Sequence, residues 1–160
     1  MAININSPEF LDYFLNLSVV LTGFSKFNLQ GTGLANLYFE TIRDVIGGEI
    51  FGELLTAFHQ LEVEKKENDR DAIAQILASQ KFGPIARNII KVWYVATWYT
   101  LPQAWRDVYG TKEKDGTFII SPQAYPEGLL WTAIGVNPPG AKGQGYGTWS
   151  EPPLVTLAQG

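Results

Sequence analysis

One hundred and sixty residues with a formal charge of −4 and no cysteine make one domain, large enough to bury a core without metal or disulfide support. Disulfide frameworks, thiolate metal sites and cysteine nucleophiles are excluded by that count. The acidic balance, with no Lys/Arg run interleaved with aromatics, argues against nucleic-acid binding.

The opening MAININSPEF lacks a basic region followed by a long apolar run and a small-residue cleavage site, so no secretory signal is read there. The chain is expected to be cytoplasmic, a mature form, or exported with a partner. Ser7-Pro8-Glu9 then opens a first helix as cap, first-turn proline and dipole-matched acid. Phe10, Leu11, Phe14, Leu15, Leu17, Ser18 and Leu21 follow at helical spacing, and Gly23 closes it. GFSKFNLQGTG reads as a loop. A second helix starts at Thr32 or Gly33, carries Leu34, Leu37, Tyr38, Thr41, Ile42 and Val45 on one face, and stops at Gly47-Gly48. A third is expected over 49–66, with Ile50, Leu54, Phe58 and Leu61 in register. The mixed-charge EVEKKENDRD over 62–71 reads as a solvated helix end and turn, with Asp69 capping a short fourth helix through Ser79.

The stretch FGPIARNIIKVWYVATWYTLPQAW over 82–105 organises the rest. Apolar on nearly every side from Ile85 to Leu101, it predicts a central helix wrapped by other elements, opened by Gly83-Pro84 and ended by Pro102. Arg87, Asn88 and Lys91 sit in its first turns, and the uncharged remainder is too short to span a bilayer, so no direct membrane span is expected. Asp115-Gly116 is the best hairpin signal, with Phe118–Ile120 as one short strand and Val108-Tyr109 as a weak partner. Ser121-Pro122 leads into a closing helix with Tyr125, Leu129, Leu130 and Ala133, ended by Gly135, whose regular part begins only near Pro126.

No stretch assembles catalytic equipment. His59 and Glu62 stand one helical turn apart and supply two metal ligands in principle, but a catalytic metal needs a third, and the sequence has no second histidine. An ordinary helical histidine is the better reading. No G-x-S-x-G elbow exists. The glycine-rich stretch 140–147 lacks a preceding strand, a following helix, and a Ser or Thr after Lys142, so nucleotide binding is not expected. Asp107 and Glu127 are lone carboxylates with structural or capping roles. The tail from Asn137 is poor in charge yet carries Tyr146, Trp149, Leu154, Val155 and Leu157, unlike a charge-rich disordered tail. Such an arm either folds back over its own core or lies against a partner.

Three blocks resemble a known family. LNLSVVLTGF over 15–24 is similar to an LSxxLTGF opening, and IIKVWYVATW over 89–98 to an LWYxGxW helix. AYPEGLLWTAIG over 124–135, then NPPG over 137–140 and GYGTW over 145–149, resembles an AYxxxLxWxAIGxxPxG…FGxW ending. These patterns belong to the small subunit of membrane-associated FAD-dependent sugar and polyol dehydrogenases. Over 94–98 the chain reads YVATW where the family often has a glycine, and it holds no twin-arginine signal or Arg-Arg pair.

The resemblance implies a non-catalytic subunit supporting the folding and export of a large FAD-containing catalytic subunit, whose electrons a cytochrome c subunit often accepts. It implies no cofactor in this chain, FAD in the partner, and a periplasmic or inner-membrane-associated location through the complex, with a cytoplasmic one as the alternative. The expected architecture is mainly α: five to six helices around a central apolar helix with one short hairpin over 1–136, and a Gly/Pro-rich carboxyl-terminal arm over 137–160. No catalytic or metal residues are assigned. The partner interface is expected at Trp131, Pro138, Pro139, Gly140, Tyr146, Gly147 and Trp149. A self-associating structural protein, or a small metal-dependent enzyme using His59, are the alternatives.

Overall fold

Ser7, extended ahead of Pro8, turns the chain into α1 (Pro8–Thr22), and Gly23 ends it in the left-handed conformation, its N–H returning to the Val19 carbonyl. A computed structural model describes residues 4–64 and 68–135. In order follow α2 (Lys26–Gly31), α3 (Ala35–Ile46), α4 (Gly48–His59), a π-turn (Gln60–Glu64), α5 (Asp69–Ala78), α6 (Gly83–Val95), β1 (Thr97–Trp98), α7 (Gln103–Tyr109), β2 (Phe118–Ile119), a 3₁₀ turn (Tyr125–Glu127) and α8 (Leu129–Ile134). The protein is mainly helical, as its patterning predicts, with eight α-helices among the described residues rather than five or six.

The differences have local causes. Within the expected loop, the Ser25 side chain accepts from the Asn28 amide and caps α2. The third expected helix leaves α geometry after His59 and passes into the π-turn; its expected end at Lys66 lies outside the described residues. Asn68, not Asp69, caps α5, its Oδ1 accepting from the Asp71 amide at 2.8 Å.

The largest correction concerns the stretch that was expected to be one helix from Gly83 to Pro102. α6 is 13 residues long and stops at Val95. Ala96 takes φ 53° and ψ 32°, the left-handed region, and its N–H closes on the Val92 carbonyl. The chain then runs out as β1, which pairs antiparallel with β2, Thr97 opposite Ile119 and Trp98 opposite Phe118. The Ile120 amide adds a bond to the Ala96 carbonyl at 2.8 Å. The expected hairpin at Asp115-Gly116 does not form: the partner of β2 is Thr97-Trp98, on the far side of α7, and Val108 and Tyr109 lie on that helix. Nor is α6 apolar all round: Ile85, Ala86, Ile89, Val92 and Trp93 are buried, and Arg87 and Lys91 face outward.

One continuous core joins these elements. α1 packs against α2, α3, α4, α5 and α6, and α6 packs in turn against α5, β1 and α8, so two helices share the central place. Phe14 sits where they meet, its ring 5.7 Å from Phe51, 5.9 Å from Phe39 and 6.1 Å from Trp93. Among the described residues no helix is long and apolar enough to cross a membrane.

Candidate functional site

The described parts of the three blocks singled out in the sequence, 15–24, 89–98 and 124–135, meet in space around Tyr94. From α1, Ser18 and Thr22 lie one turn apart, and both are buried. The Trp93 indole Nε1 donates to Ser18 Oγ at 2.9 Å. The next residue, Tyr94, donates its hydroxyl to the Thr22 carbonyl, also at 2.9 Å, and holds Phe24 edge-on at 5.9 Å. Thr22 Oγ1 donates to the Ser18 carbonyl at 2.7 Å and accepts from the Phe24 amide at 3.1 Å, which fixes the exit from α1. Partial burial raises the ionisation of the Tyr94 phenol above its ordinary range.

The closing block arrives from the other side. Gly128 lies so close to the Tyr94 carbonyl that a Cβ would run into its backbone oxygen, a group that cannot yield, so glycine is required for α8 to approach α6. Ala124 and Leu129 are buried. Trp131 is half-buried, its Nε1 donating to the Tyr125 carbonyl at 3.1 Å and its ring 5.6 Å from Tyr125 in a T-shaped pair. Ile134, in the last turn of α8, is 56% exposed.

A second joint holds the two-stranded sheet. Asp115, 7% exposed, accepts from the Trp98 indole at 2.8 Å and from the Leu101 amide at 3.1 and 3.2 Å on its two oxygens. The Trp105 indole donates to the Lys81 carbonyl at 2.8 Å. Each of the four described tryptophans thus commits its one N–H donor to this chain. Sequence reasoning read Asp115 as turn chemistry alone and Ser18 as a spacing match, because both find their partners only through the tertiary fold.

His59 ends α4 with its ring stacked on Tyr13 at 4.0 Å and 17°. Glu62 follows on the π-turn, its carboxyl raised to about 7 by burial, by a side-chain hydrogen bond with Asp69 and by that residue's charge. Among the described residues no three His, Asp or Glu side chains gather as a metal site. Tyr38 is buried against the Trp93 ring at 4.9 Å, and its hydroxyl has no hydrogen-bond partner among the described residues. Burial, and secondarily the charge of Glu127, push its ionisation far up. An open cleft of about 380 Å3 lies between α3 and the segment that enters β2, lined by Thr41, Asp44, Val45, Lys114 and Phe118.

Of the residues expected at a partner interface, Trp131 alone is described. Pro138, Pro139, Gly140, Tyr146, Gly147 and Trp149, with the whole arm over 137–160, lie outside the described residues. What the described fold defines is a small helical protein whose buried polar side chains join distant segments of its own chain. No protein-family model, no curated protein and no solved structure matches this chain.

Proposed function

We propose that this chain is a non-catalytic accessory subunit that stabilises, matures or helps export the FAD-containing catalytic subunit of a sugar or alcohol dehydrogenase. The observation that carries the reading is the meeting of the described parts of the three resembling blocks, far apart in sequence, at Tyr94. Their characteristic residues serve architecture there: Ser18 with Trp93, Thr22 and Phe24 with Tyr94, Leu129 in the core beside Gly128. Aligning LWYxGxW on VWYVATW sets the family's glycine at Ala96, the one non-glycine residue with positive φ among the described residues. A pattern that calls for glycine at a left-handed helix end has a physical reason in this backbone.

On this reading the chain itself brings no cofactor and no reacting group. FAD resides in the large subunit, a cytochrome c subunit takes the electrons, and the complex acts in the periplasm or at the inner membrane. Trp131 and the Pro138–Trp149 arm are the surface offered to the large subunit.

The test is purification of the tagged chain from the cells that make it. Co-purifying material is assayed for acid-released flavin and for sugar- or polyol-dependent dye reduction. Stoichiometric flavin with that activity supports the proposal. A flavin-free preparation whose mass by light scattering grows with concentration, and falls on truncation after Ile134, favours a self-associating structural protein instead.

A further inference from the structure

We draw no further inference here: the strongest candidate, the open cleft between α3 and the segment that enters β2, lined by Thr41, Asp44, Val45, Lys114 and Phe118, carries nothing because nothing in the structure shows what covers it.

Discussion

Trp93 and Ser18 stand 75 positions apart in the chain, and the indole Nε1 of the first donates to the hydroxyl of the second at 2.9 Å inside the core. The bond ties α6 to α1, the two helices that share the centre of the fold. Ser18→Ala strands a buried indole N–H, and an orphaned donor costs about 1–3 kcal/mol. Urea unfolding midpoints check this. In the double variant with Trp93→Phe the Ser18→Ala loss shrinks, because no donor is left to strand. Equal losses in both backgrounds contradict the bond.

Ala96 closes α6 in a conformation that costs an L-residue about 1–2 kcal/mol. Glycine relieves that cost and gives up one buried methyl, about 0.8 kcal/mol. Glycine also adds about 0.4–1 kcal/mol of unfolded-chain entropy, so Ala96→Gly is expected to lie within about 1 kcal/mol of the parent. Ala96→Val places a β-branched side chain at positive φ and lowers stability by about 1–3 kcal/mol. Thermal unfolding of the three proteins orders them, and a glycine variant less stable than the valine one contradicts the left-handed assignment.

The Tyr38 hydroxyl contrasts with the indole of Trp93, being buried without a partner among the described residues. Removing a polar group that makes no bond is neutral or favourable, so Tyr38→Phe is expected to stabilise by up to about 1 kcal/mol. Its pH signature is separate. The folded state holds the phenol protonated well beyond its unfolded value near 10, so its contribution is present below pH 10 and declines above it. The phenylalanine variant loses that part of the alkaline decline. A variant less stable by more than about 1 kcal/mol shows that the hydroxyl makes a bond the fold depends on.

Glu62 supplies the neutral-pH counterpart. An acid raised in the fold from 4.5 to about 7 contributes stability that is fully present below 4.5 and lost as pH rises through about 7. The slope of stability against pH is therefore negative across that window for this group. Glu62→Gln, which keeps a hydrogen-bonding side chain and cannot ionise, flattens it. Asp69→Asn removes the charge that helps raise Glu62, and its amide N–H can donate to the ionised carboxylate, so the same slope is reduced. Urea midpoints through the window measure it, and parallel curves for parent and Gln variant contradict the pairing of these two carboxyls.

Helix boundaries were legible wherever the signal was local: the starts at Ser7-Pro8 for α1 and Gly83-Pro84 for α6, and the ends at the left-handed glycines 23 and 135. α2 was hidden because Ser25, its cap, sits among glycines and polar residues that read as a loop. The end of α6 was hidden for a different reason. VATWYTL stays apolar, so periodicity continues past the point where the helix stops, and the stop is an alanine rather than a glycine or proline. What holds the chain out as β1 is Ile120 on the Ala96 carbonyl and Asp115 on Trp98 and Leu101, partners at least 14 positions away. The same holds for the joint at Tyr94. Apart from Gly128, its residues were visible as motif letters, but their pairing across α1, α6 and α8 is a tertiary fact. Gly128, unremarkable in sequence, matters only because the Tyr94 carbonyl lies against it.

As the accessory subunit we propose, this chain would sustain another protein's activity and perform no chemistry itself. The direct measurement is expression of the FAD-dependent large subunit with and without this chain, followed by soluble yield, bound flavin and turnover per flavin. The expected result is loss of soluble, flavin-loaded large subunit when the chain is omitted, with recovery on co-expression and no activity from the chain alone. A large subunit that folds, binds FAD and turns over fully without it contradicts the account.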